Sequence, residues 1–167
     1  CGSAKTSPHN QLMLDGPVSA LQTDAAFNDG WYEQPPLKGL LAFGRVYASW
    51  FFSQDFLREA LYRELGLSSI EDVVRLTQRY FLQSDANDLL AMASTWRVGD
   101  ISANPEFNGA FAAALGAITS RAIVMPGARD LYFRVADNRR ECAKIPNADV
   151  RAIPSVVVPK PRLGLHP

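Results

Sequence analysis

Cysteine and histidine are scarce: the chain has only Cys1 and Cys142, His9 and His166. So few, so widely spaced, exclude a disulfide framework and argue against a structural zinc site; no metal is expected. An excess of charge of one sign is also missing, since 17 basic residues offset 17 acidic ones across 167 positions. Without a basic excess there is no electrostatic footprint for nucleic acid or an anionic membrane, and neither partner is expected. No stretch approaches the roughly eighteen consecutive apolar residues of a membrane span. No basic start followed by an apolar run reads as a secretory signal, so the expected location is the cytoplasm. Repeats and low-complexity segments are absent as well. What is present, 47% hydrophobic and 20% charged residues, suits one ordinary core. The first residue is Cys1 rather than methionine, and the turn-like Cys1-Gly-Ser-Ala opening reads as a chain entered just after a strand, part of a longer polypeptide.

The first hundred residues read almost entirely as helix and loop. Ser7 can cap a helix with Pro8 in its first turn, leading into Leu12, Met13 and Val18, and Gly16-Pro17 is expected to kink or divide it. Asn28-Asp29-Gly30 and Pro35-Pro36 bracket Trp31 and Tyr32 in what reads as an ordered loop pinned by its aromatics. Apolar positions from Leu40 to Leu65 recur three and four apart, giving one or two amphipathic helices. Gly66 is a left-handed cap, Ser68-Ser69-Ile70-Glu71 opens the next helix, and Asp85 caps another over roughly 85–98.

The pattern changes after Asn104-Pro105. A small-residue helix from Phe107 to Leu115 precedes Arg121 to Met125, an apolar run bounded by Pro126-Gly127 that suits a buried parallel strand. A helix from Asp137 to Lys144 and a second strand from Asp149 to Ile153 complete a strand, helix, strand unit with connections short enough for parallel pairing. Two strands cannot bury both faces alone, so further strands are expected from elsewhere. Asp130 lies just past the first strand's carboxyl end, where open parallel sheets gather catalytic groups. A carboxylate there can orient a histidine and stabilise its imidazolium, and it can equally cap the following turn.

Several segments together resemble the carboxyl-terminal half of the homoserine O-acetyltransferase family: Cys1 to Asn10, Gly39 to Arg45, Asp85 to Leu90, Thr95 to Ser102, Asp130 to Phe133, and Pro146-Asn147. The resemblance implies a partial α/β-hydrolase fold, a mostly helical lid plus the last two parallel strands with flanking helices. Residues 1–11 would leave a core strand, 12–104 would form the lid, 105–155 the end of the core, and 156–167 a divergent tail. It further implies transfer of an acetyl group from acetyl-coenzyme A, a co-substrate rather than a bound cofactor, to the hydroxyl of a small-molecule acceptor through an acylated serine. Asp130 matches the family's triad acid. Arg45 matches a lid arginine that holds an acceptor carboxylate, a role suited to a buried planar two-donor group, and its apolar helix should not leave it without a partner; pairing with Asp55, Glu59 or a backbone carbonyl is the other reading. Family lids also make homodimer contacts.

The catalytic set is incomplete in these 167 residues. No Gly-x-Ser-x-Gly turn occurs, and chain order in this fold puts that serine before the acid. Where relatives place the base histidine, this chain has about Pro159, and His166 follows in a proline-bounded tail. The chain is therefore expected to be inactive alone. Two other functions remain open: an ester hydrolase of the same fold, with water as the acceptor, and a non-catalytic helical domain that dimerises or binds a partner through residues 37–100. His9 reads as a capping or surface residue, Cys142 as an ordinary packed cysteine, and Trp50, Phe51 and Phe52 as core or as the wall of an acyl tunnel.

Overall fold

Ser7 starts the helical part: its hydroxyl accepts the Asn10 amide, and helix α1 runs Pro8–Gln22. The structure is a computed structural model that describes residues 2–154. Helix α1 continues undivided through Gly16 and Pro17, where a kink or division was expected. Proline there removes one backbone hydrogen bond. Packing offsets it, because Leu14, Pro17 and Leu21 are all buried on the face that α1 presents to the helices beside it.

A 3₁₀ turn over Ala25–Gly30 follows, with Asn28 and Asp29 in left-handed conformation. Its loop is pinned by buried Phe27 and by Tyr32, whose hydroxyl donates to the Asp85 carboxylate at 2.5 Å. Trp31 plays no part in this, since it is 84% exposed. Helix α2 (Leu37–Phe51) packs between α1 and α4 (Ile70–Phe81), burying Leu40, Phe43 and Trp50. Between them lie α3 (Gln54–Arg58), capped by Ser53, and a 3₁₀ turn over Leu61–Leu65 that ends on left-handed Gly66. Ser69 and Asp72 form a reciprocal capping box at the start of α4, and Asp85 caps α5 (Ala86–Arg97) by accepting two amides. Each cap satisfies backbone donors that helix geometry leaves free.

Beyond α5, helix α6 spans Phe111–Gly116, shorter than the helix expected from Phe107, because Asn108 and Gly109 take positive φ. Strand β1 (Ala122–Val124) pairs parallel with β2 (Ala148–Val150), with Ala122 opposite Ala148 and Val124 opposite Val150. Helix α7 (Val135–Cys142) crosses between them. Both strands are shorter than the expected 121–125 and 149–153; one further parallel pairing, Gly127 with Ile153, lies beyond Pro126, which has no amide to continue the ladder. Ile123 and Met125 remain about half exposed, as befits a sheet of two strands. Among the described residues no helix is long and apolar enough to cross a membrane.

Candidate active site

The loop leaving β1 carries the candidate acid. Asp130 is 7% exposed, and one of its oxygens, Oδ1, accepts the backbone amides of Tyr132 at 2.8 Å and Phe133 at 2.9 Å. Among the described residues no hydrogen bond falls on its second oxygen, Oδ2. The sequence left two roles open for Asp130, turn cap and catalytic orienter. The geometry lets one side chain hold both, because capping uses one oxygen and leaves the other lone pairs available.

Asp130 lies in the wall of a cleft of about 600 Å³, with His9, Asn10, Ser53, Asp55, Arg129 and Tyr132 among its neighbours there. Two contacts fasten its loop to the helices. Asn10, 2% exposed, donates from Nδ2 to the Tyr132 carbonyl at 2.8 Å, and Arg129 pairs with Asp55 of α3 at 3.0 Å. Rings complete the join: Tyr132 meets Trp50 of α2 edge to face with centroids 4.4 Å apart, and Phe133 lies 5.8 Å from Trp96 of α5. The acid loop is thus wedged under the helical layer.

Arg45 is placed elsewhere. It stands on the outer face of α2, with its side chain 55% exposed, and its Nη2 donates to Glu71 of α4 at 2.6 Å. The expectation of a buried guanidinium is corrected by helical phase: Phe43 and Gly44 take the inward positions, and residues 45 and 46 turn to solvent. Asp55, one expected partner, is taken by Arg129. Arg45 lines neither the Asp130 cleft nor a second, aromatic cavity of about 260 Å³ between α2, α4 and α5.

Cys142 is buried, and burial pushes its thiol up, which suits a packed cysteine rather than a nucleophile. His9 is exposed at the cleft, a position that its sequence neighbourhood did not reveal. Asn10 gave no signal beyond its place in a helix's first turn; its function depends on a partner 122 positions away. Pro159 and His166 lie outside the described residues. Among the described residues no cluster of three or more histidine, cysteine, aspartate or glutamate side chains could hold a metal.

No protein-family model matches the chain. It is 33% identical over 158 residues to a probable esterase of Corynebacterium glutamicum and 34% identical over 158 residues to an ethyl acetate hydrolase of Pseudomonas veronii. Each match covers 93% of this chain and 45% of the relative, so the chain spans less than half the length of either. Among solved structures, an acetylester hydrolase from Corynebacterium glutamicum superposes with a TM-score of 0.89 at 32% identity, over 95% of this chain and 46% of that one. A homoserine O-acetyltransferase from Bacillus anthracis superposes with a TM-score of 0.78 at 19% identity, over 92% and 45% of the two chains.

The last of these shows a shared fold and no more, whereas the relatives identical at a third of the aligned residues are named as a probable esterase and an ethyl acetate hydrolase. The acetyl-coenzyme A transferase expectation is corrected accordingly. Its physical reason is plain: transfer and hydrolysis share the catalytic triad and the fold, and differ in the acyl donor, a thioester or an oxyester, and in whether an alcohol or water deacylates the enzyme. With its two parallel strands, crossing helix and helical roof superposing on these hydrolases, the chain carries the carboxyl-terminal part of an α/β-hydrolase fold.

Proposed function

We propose that this chain supplies the acid and the helical lid of a carboxylic ester hydrolase acting on small acyl esters. The observation that carries the proposal is Asp130: a buried carboxylate past the end of a parallel strand, held by two amides through Oδ1 and bordering a cleft beneath helices. The names of the relatives at a third identity support ester cleavage as the reaction.

In the proposed mechanism a serine on sequence outside these 167 residues attacks the ester carbonyl, a histidine takes its proton, and the alcohol leaves. Water then cleaves the acyl-serine. Asp130 holds the histidine in the tautomer that can accept the serine proton, and its negative charge stabilises the imidazolium formed in each half-reaction. Its burial strengthens that interaction by excluding water. The two amides on Oδ1 keep the carboxylate in place, so little reorganisation accompanies proton transfer.

The test is hydrolysis of p-nitrophenyl acetate by a polypeptide that pairs this chain with hydrolase segments supplying both the serine and the histidine. Asp130→Asn keeps the shape but not the charge, and is expected to lower kcat by about 10⁴-fold, the loss typical of a mispositioned triad histidine. No turnover by the unsubstituted polypeptide sinks the hydrolase reading. Equal turnover by both removes Asp130 from the mechanism.

A further inference from the structure

An asparagine side chain can react with the backbone that follows it: the next amide nitrogen attacks Cγ and closes a five-membered imide. The reaction needs a side chain that is not pinned and a neighbour without a side chain to obstruct the approach. The chain has seven asparagines. Five of them donate from Nδ2 to backbone carbonyls: Asn10 to Tyr132, Asn28 to Trp31, Asn87 to Gly30, Asn104 to Ile101 and Asn138 to Arg134. Asn104 also precedes Pro105, whose nitrogen has no hydrogen to give up. Among the described residues no hydrogen bond falls on the side chain of Asn108 or Asn147. Of these two, Asn147 precedes Ala148 and Asn108 precedes Gly109.

Asn108 and Gly109 are exposed in the turn before α6, and both take left-handed φ, 45° and 83°. A Cβ built on Gly109 would meet nothing within 4 Å, so no packed neighbour closes off that side of the residue. One restraint remains. The Gly109 amide donates to the Ser102 carbonyl at 2.9 Å and must leave it before its nitrogen can approach Cγ of Asn108. Opening a single bond of an exposed turn lies at the low end of local unfolding free energies.

We propose that Asn108-Gly109 is a site of spontaneous covalent modification, at which Asn108 loses its side-chain amide and part of the product carries an isoaspartyl linkage. The Gly109 nitrogen bonds to Cγ of Asn108 as the Cγ–Nδ2 bond breaks. The proton on the Gly109 nitrogen passes through solvent to the departing group, which leaves as ammonia. Water then opens the imide. Attack at Cγ restores the main chain and leaves aspartate, whereas attack at the Asn108 carbonyl carbon routes the main chain through Cβ and Cγ, one methylene longer. Water is the sole co-reactant, and the reaction is independent of the hydrolase function.

The longer linkage falls beside the contacts that fasten the opening segment. Ser102 is fully buried; its carbonyl takes the Gly109 amide, while its hydroxyl and amide donate to Asp100, the partner of Lys5. An extra methylene between residues 108 and 109 moves the Gly109 amide off that carbonyl. Plain aspartate at position 108 leaves the main chain as it is.

The test holds the full chain at neutral pH and body temperature over several weeks, then digests it with trypsin and reads the peptides by mass spectrometry. Peptide 98–121, bounded by Arg97 and Arg121, is expected to gain the mass difference between an amide and a carboxylic acid. Fragmentation is expected to place the change at residue 108, and chromatography to separate an isoaspartyl form from the aspartyl one. Ammonia release is expected to be lost in Asn108→Asp, which carries the charge without the extra methylene. The aged chain is expected to unfold at a lower temperature than that variant. An intact Asn108 after incubation, another asparagine converting first, undiminished ammonia release from Asn108→Asp, or an aged chain as stable as that variant overturns the proposal.

Discussion

At the scale of single residues, the acid loop depends on Asn10. Its amide nitrogen is the buried partner of the Tyr132 carbonyl, and Tyr132 in turn gives its own amide to Asp130. Asn10→Ala leaves that carbonyl without its donor, and a loss of about 1–3 kcal/mol is expected in urea unfolding. Amide signals of Tyr132 and Phe133 should shift in the same variant; an unchanged midpoint with unchanged shifts would show that the loop holds itself. Asp130 was legible in the sequence because strand ends announce themselves through apolar runs and prolines. Asn10 was not, since a hydrogen bond between positions 10 and 132 leaves no local trace. Arg45 marks a different limit: its type and apolar neighbourhood suggested burial, and one step of helical phase put it outside with Glu71.

At the scale of elements, the helical layer depends on close approach as well as apolar periodicity. A Cβ built on Gly44 of α2 would stand 2.8 Å from the Cα and 3.1 Å from the amide nitrogen of Gln78 in α4. Backbone atoms cannot swing aside as a side-chain tip can. Gly44→Ala is therefore expected to destabilise the chain by about 1–3 kcal/mol through overpacking, read as a lower thermal midpoint; an unchanged or raised midpoint would mean that α2 and α4 separate at little cost. Helix starts were the most legible elements, because Ser7, Ser69 and Asp85 are chemically suited to caps and perform that role. Helix α1 passed through Pro17 against its local preference because the apolar face it buries offsets one lost hydrogen bond. The strands were legible in type and order but shorter than expected, since Pro126 interrupts the ladder between them.

At the scale of the whole molecule, the opening segment is the tie between helices and sheet. Thr6 donates its amide to Gly99, Ala4 accepts from Ile101, and the Ala4 amide reaches the Glu141 carboxylate of α7 at 3.1 Å. Lys5 pairs with Asp100 at 2.8 Å. Lys5, then the Ser102 hydroxyl and amide, pull the Asp100 carboxyl down to about 2. A depressed carboxylate contributes stability that is complete above its ordinary pKa near 3.8 and is lost as pH falls through its folded value. Acid titration should accordingly show Asp100 protonating near pH 2, with the Lys5 and Ile101 amide signals moving alongside; an Asp100 that titrates near 3.8, or equal acid sensitivity in Asp100→Asn, would deny the tie. The sequence by itself determined the helical first part, the parallel strand, helix, strand end and the caps, because each follows from the spacing and chemistry of near neighbours; it placed Asp130 past a strand end, while the role of acid came from the family resemblance. Only the tertiary structure decided that Asn10 clamps the Asp130 loop, that Arg45 faces solvent, and that Tyr132 is wedged between Trp50 and Trp96. Those facts join residues far apart along the chain, where contact is set by packing.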